Sequence, residues 1–319
     1  MRIDPLSLVD AELRPFLQAA GAFQAEATPA SLRALMAMLP QPARLPGVAV
    51  DERVIPGLAD APEVRVFVIG ARLRPSPAPA VVYVHGGGFV SGTAAQEVSR
   101  LQALSAAHDC VVVAVDYRLA PETPFPGARE DIYAALKWLG DHAGELGVDR
   151  SRIAVMGSSA GGGHAAAVAI AVRDRGEVAL AAQVLIYPEL DDRTGSSRAT
   201  PDHIGAFGWT AASNRMAWTA LLGVAAGSAS PPAGAIPACV DDLAGLPPTF
   251  IGVGAVDLFV EESVVFAQRL LNAGVRTELY VAPGAFHGFD RLVPDAAISR
   301  HFTMAWNAAL ARALAASPA

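Results

Sequence analysis

Between Ala80 and Val253 five short apolar runs punctuate the chain: AVVYV, VVVAV, RIAVM, QVLIY and TFIGV. A strand that is apolar at nearly every position has to be covered on both faces, so it belongs inside a parallel sheet, where each neighbour is reached by a crossover long enough to hold a helix. Helical periods supply those crossovers. Ile132, Ala135, Leu136 and Leu139 recur at helical spacing behind Glu130 and Asp131, the segment after Met156 is closed by Gly176, and a further helix around Val264, Ala267 and Leu271 stops at Gly274. The pattern predicts a doubly wound α/β sheet.

The flanks extend it. Two alternating segments between Val48 and Ile69 read as antiparallel strands, ended by the Pro-rich RPSPAPA, and RTELYV (Arg276 to Val281) is a final strand before a terminal helix from Ala296 to Leu314. Helical patterns open the chain: Leu6, Val9, Leu13, Phe16 and Leu17, then Leu32, Leu35, Met36 and Leu39 behind Thr28 as N-cap and Pro29 at the first helical position. One segment interrupts the alternation. From Asp191 to Leu243 the chain is rich in Ala, Gly, Pro and Ser, with Phe207, Trp209 and Trp218 spread through it, and an insertion this long between strands is usually functional.

Composition excludes several classes of function. With 52% hydrophobic and 17% charged residues the chain has a core and is not disordered, while a net charge of −7 and scattered basic residues give no footprint for nucleic acid or an anionic membrane. The longest apolar runs, such as AAAVAIAV (Ala165 to Val172), are too short to span a bilayer, so membrane insertion is not expected. MRIDPLSLVDAELRPF carries acids and a proline where a secretory leader needs a basic and then an apolar stretch, so a cytoplasmic location is expected. Cys110 and Cys239 read as reduced and structural. No paired CxxC or HExxH spacing occurs, and neither a metal nor a cofactor is expected.

The chemistry concentrates where RIAVM runs into Gly157-Ser158-Ser159-Ala160-Gly161 and then a helix. This is G-x-S-x-G in a strand-turn-helix context, in which a sharp turn holds the central serine in strained backbone and the flanking glycines leave room for neighbouring strands. Ser159 is thereby lifted above the carboxyl ends of the strands, beside the unpaired N–H of Ala160. A second glycine loop, His85-Gly86-Gly87-Gly88, follows the first buried strand and offers backbone donors for an oxyanion. A phosphate-cradling loop is the rival reading, but no Gly-Lys-Ser/Thr follows.

These motifs, together with Tyr117-Arg118-Leu119-Ala120-Pro121-Glu122, resemble the hormone-sensitive-lipase-like esterases of the α/β-hydrolase superfamily, the likeness running from about Pro46 to the C-terminus. The resemblance implies an α/β-hydrolase fold, a mostly parallel eight-stranded sheet flanked by helices and carrying a helical cap. Residues 1–45 and 191–243 would form the cap, and 46–190 with 244–319 the catalytic domain. It also implies an oxyanion hole of Gly87, Gly88 and Ala160, with Gly86 a stand-in, and it allows a homodimer through the last strand and terminal helix. Ser158 departs from the Asp or Thr commoner in that place.

The triad order Ser, acid, His directs the search for partners. VAPGAFHGFD places His287 in a loop after the last strand, and FIGVGAVDLFVEES places Asp257 just beyond the preceding one. His85 would orient the glycine loop, His164 faces away from the nucleophile, and His108, His142 and His301 lie on helical or loop surfaces. His203 belongs to the insertion, with a substrate contact as one reading. Glu261 and Glu262 read as acids opening the next helix, and Asp191 and Asp192 are alternative acids after the preceding strand. Ser159, Asp257 and His287 thus imply a serine carboxylesterase acting on a small-molecule ester, and a cap closing over the serine favours a short acyl chain, with Phe207, Trp209 and Trp218 available to line the pocket. An inactive small-molecule receptor, an amidase or an acyltransferase on the same fold are the competing readings.

Overall fold

The computed structural model describes residues 3–20, 28–38, 43–72 and 75–315. Its strands are β1 (Val50–Ile55), β2 (Val64–Ile69), β3 (Ala78–Val84), β4 (Val111–Asp116), β5 (Val148–Ser158), β6 (Ala182–Ile186), β7 (Thr249–Gly254) and β8 (Thr277–Ala282). The helices are α1 (Arg14–Ala20), α2 (Pro29–Met38), α3 (Val98–His108), α4 (Gly127–Asp141), α5 (Ala143–Leu146), α6 (Ala160–Arg175), α7 (Ala211–Leu222), α8 (Val260–Asn272), α9 (Phe289–Leu292) and α10 (Ala297–Ala315). Leu39 and Arg74, which the sequence patterns include, lie outside the described residues.

All eight strands join one sheet in the order β1-β2-β4-β3-β5-β6-β7-β8. The first two run antiparallel, as their alternation predicts, and from β4 to β8 every pairing is parallel. The apolar runs explain the two cores. On one face Tyr83, Val112, Met156, Ile186 and Phe250 meet Leu101 and Leu104 of α3 and Phe302 and Trp306 of α10. On the other, Val82, Val113, Val155, Leu185 and Ile251 meet Ile132 and Leu136 of α4, Val168 of α6 and Phe266 and Leu270 of α8. Each strand in the middle is sealed on both sides, which is the condition that made its sequence uniformly apolar.

One sequence expectation shifts. In α8 the buried stripe is Ser263, Phe266, Ala267 and Leu270, while Val264 and Leu271 are 42% and 52% exposed. The helix is apolar on more than one side, and it turns the bulky Phe266 and Leu270 to the sheet. Glu261 and Glu262 stand in its first turn as expected, and Glu262 is buried there, accepting from the Leu190 N–H at 2.6 Å and bonding the Thr194 hydroxyl. Between residues 191 and 243 side chains brace the backbone around α7, as when Asn214 donates to the Thr194 carbonyl at 2.8 Å and the Gly227 N–H donates to Asp192 at 2.7 Å. Among the described residues no helix is long and apolar enough to cross a membrane.

Candidate active site

The turn after β5 is as tight as its glycines require. A Cβ on Gly157 would lie 2.1 Å from the Gly161 carbonyl oxygen, and one on Gly161 would lie 2.2 Å from that of Val84. Ser159 sits between them at φ 58°, ψ −126°, a conformation that β-carbon-bearing residues rarely adopt. Three backbone bonds hold it there: its N–H donates to Ile186 at 2.9 Å, and its carbonyl accepts from Gly163 at 3.1 Å and Glu189 at 3.2 Å.

The loop after β8 brings His287 to this serine. Its Nε2 lies 2.9 Å from Ser159 Oγ, and its Nδ1 lies 2.9 Å from Asp257 Oδ2. Asp257, from the turn after β7, is fully buried, and its other oxygen accepts the Phe259 N–H at 3.0 Å. The Nδ1–H therefore donates to the carboxylate and leaves the Nε2 lone pair facing the hydroxyl. Rings fix the imidazole: Tyr187 stands 4.8 Å away at 67° and Phe259 5.1 Å away at 88°, edge to face. The alternative acids are engaged elsewhere, Asp191 by the guanidinium groups of Arg193 and Arg198 and Asp192 by Gly227.

The glycine loop after β3 completes the floor. Gly87 and Gly88 have φ of 129° and 58°, and a Cβ on Gly87 would fall 2.1 Å from the Ser91 carbonyl oxygen. Among the described residues the N–H groups of Gly87, Gly88 and Ala160 donate to no backbone acceptor, so they remain available to an anionic oxygen. His85 shapes the loop from below: its Nδ1 lies 2.8 Å from the Gly86 carbonyl oxygen and its ring stacks on Tyr117 at 4.2 Å, while the Tyr117 hydroxyl donates to the His85 carbonyl at 2.8 Å. Burial lowers the basicity of this imidazole, so it is a neutral strut.

Of the insertion's aromatic residues Trp209 lies against the glycine loop. A Cβ on Gly88 would fall 2.3 Å from its ring, which lies 6.3 Å from that of His287 and is 9% exposed. Phe207, two residues away, is half-buried against the core. Trp218 goes elsewhere, fully buried with its ring 4.9 Å from Phe89. His164 is likewise a packing residue, wedged between Phe89 and Tyr117, and burial drives its pKa down to about 3. His108 bonds Asn307 and His142 stacks on Trp138, while His203 and His301 remain partly or fully exposed.

Three neighbours of the site carry no motif. Tyr187 and Phe259 frame the imidazole. Arg33 of α2 reaches the glycine loop: Nε donates to the Val90 carbonyl at 2.7 Å, Nη2 to that of Ala120 at 3.1 Å, and the guanidinium grips Glu122 with bonds of 2.8 and 2.7 Å. That bidentate contact holds the Glu122 carboxyl down to about 2.

Comparison with known proteins gives the family of the chain. A family model described as alpha/beta hydrolase fold covers residues 81–291. Over 281 residues the chain is 39% identical to carboxylesterase NlhH of Mycobacterium tuberculosis, spanning 80% of this chain and 81% of that protein. A solved bacterial heroin esterase superposes with a TM-score of 0.82 at 35% identity, covering 98% of this chain and 100% of the other. Esterase LipW from Mycobacterium marinum does so with a TM-score of 0.80 at 33% identity over 99% of each chain.

Proposed function

The chain belongs to the hormone-sensitive-lipase-like esterases of the α/β-hydrolase fold and is a serine carboxylesterase, and from that premise we propose that Ser159, His287 and Asp257 are its nucleophile, base and acid. The observation that carries the assignment is the unbroken relay of two 2.9 Å contacts from the buried carboxylate through the imidazole to the hydroxyl. His287 Nε2 takes the hydroxyl proton as Ser159 Oγ attacks the ester carbonyl, and the N–H groups of Gly87, Gly88 and Ala160 receive the oxygen on which charge develops. Collapse breaks the ester C–O bond, the imidazolium returns its proton to the departing alkoxide, and an acyl-enzyme remains. Water, deprotonated by the same imidazole, then attacks that acyl group and restores the serine. Asp257 orients the ring and stabilises its cationic form.

Residues 1–45 and 191–243 form a cap over this site in the proposed domain division, supported by Arg33 bridging α2 to the glycine loop and by Trp209 lying against Gly88. The indole fills space over the proposed oxyanion hole, which favours short acyl chains. Among p-nitrophenyl esters the specificity constant should then be higher for acyl chains of about four carbons than for chains of about ten. A reversed preference overturns the cap's role in selection. A cytoplasmic location and a homodimer through β8 and α10 complete the proposal, the latter supported by exposed Leu279 and Val281 on the sheet edge and Met304 on the helix. Sizing by light scattering decides it.

The central test is Ser159→Ala. Turnover of p-nitrophenyl butyrate should vanish while the melting transition stays cooperative, and a phosphonate should label the unmutated chain at Ser159. Retained turnover in the variant overturns the assignment.

A further inference from the structure

Behind the elbow lies an open-sided cavity of about 300 Å3, walled by α3, α10 and the sheet, and lined by neither Ser159 nor His287. Its lining has two chemistries. Leu101, Leu104, Met156 and Trp306 are apolar, whereas Tyr83, Glu97, Ser158 and Asp290 are polar and buried. A space of this size, mostly apolar with a few convergent polar groups, has the character of a small-molecule site.

The polar groups do not satisfy one another completely. Glu97 is provided for: Arg291 binds one oxygen, the Tyr83 hydroxyl donates to the other at 3.4 Å, and Arg100 stands 4.0 Å away. The Tyr83 hydroxyl also lies 3.4 Å from Ser158 Oγ. Asp290 has no such provision. It is 6% exposed, and its Oδ1 is buried with no hydrogen-bond partner among the described residues. A buried carboxylate oxygen without a donor is costly, and a donor arriving from the cavity removes that cost.

We propose that this cavity binds a small primary ammonium ion bearing a short apolar group, the ammonium bonded to Asp290 and the apolar part seated among Leu101, Leu104, Met156 and Trp306. Because Arg291 and Arg100, the latter also in the lining, already answer Glu97, Asp290 is the carboxylate left to a ligand: an anion would repel it, and a hydrocarbon would leave it unanswered. The cavity adjoins the catalytic residues at three points. Ser158 directly precedes Ser159, Asp290 follows His287 by three residues, and Tyr187 lines the cavity while its ring stands 4.8 Å from that of His287. Occupancy therefore modulates hydrolysis, a consequence that rests on the triad proposed above, whereas the binding itself does not.

Calorimetric titration of the full chain with 2-phenylethylammonium chloride tests it, with and without prior phosphonate treatment. One saturable site is expected, unaffected by the phosphonate, and 3-phenylpropionate, of opposite charge, should not bind. Asp290→Asn should weaken binding by about tenfold or more, and Leu104→Trp, which fills the cavity with an indole, should do the same. Absence of binding to the unmutated chain, its loss after phosphonate labelling, or undiminished affinity in a folded variant overturns the proposal. If the phosphonate fails to react while the ammonium binds, the triad assignment fails and the cavity's does not.

Discussion

Ser159 owes its position to what its neighbours lack. The Gly161 α-carbon approaches the Val84 carbonyl so closely that a methyl there would lie 2.2 Å from the oxygen, and because the obstacle is backbone, it cannot rotate away. Gly161→Ala should cost about 3 kcal/mol or more in denaturant unfolding, with hydrolysis lost through displacement of the elbow. Nearby, Glu189 is fully buried with neither carboxyl oxygen bonded among the described residues, and burial beside Glu262 and Asp257 pushes its carboxyl well above the ordinary 4.5. The folded chain thus keeps a proton that the unfolded chain releases, so this residue's contribution is fully present below the unfolded value and is lost as pH rises from there. Glu189→Gln removes that titration. Its melting temperature should exceed the unmutated chain's by a margin that widens from about pH 4 to about pH 8, and a constant margin would refute the reading. Local sequence reveals the serine and the glycines because steric exclusion acts within a few residues. It does not reveal the state of Glu189 or Glu262, because what buries a carboxyl comes from elements far along the chain.

At the scale of elements, strand identity was legible because burial on both faces imposes a uniform composition, and β3 through β7 answer to it directly. Helix phase was less so: α8 offers apolar residues on several sides, and only the sheet determines which stripe is covered. Contacts between α2 and the glycine loop were invisible, since Arg33 meets partners 57, 87 and 89 residues away and arginine on a helix ordinarily faces water. This contact makes α2 a brace for the loop that presents Gly87 and Gly88. Arg33→Met should lower kcat/KM by roughly tenfold while moving the melting temperature little, because it slackens a loop rather than removing core. The guanidinium–Glu122 bond is half-exposed, so raised ionic strength should reproduce part of that loss in the unmutated chain and none of it in the variant.

For the whole molecule, the order of the sheet decides what must be intact for turnover. Ser159, Asp257 and His287 follow β5, β7 and β8, three strands of one parallel ladder whose registers run from β5 through β6 and β7 to β8. No fragment short of that ladder assembles the relay. On heating, loss of hydrolysis should superimpose on the loss of near-ultraviolet circular dichroism, and activity disappearing well before the fold would mean that the loops melt independently. The antiparallel strand β1 closes the opposite margin of the sheet, with Asp51 and Glu52 turned to solvent. A solid support can therefore grip the molecule by that rim through an engineered anchor, at the margin of the sheet away from β5, β7 and β8, and leave the ester's route of entry open.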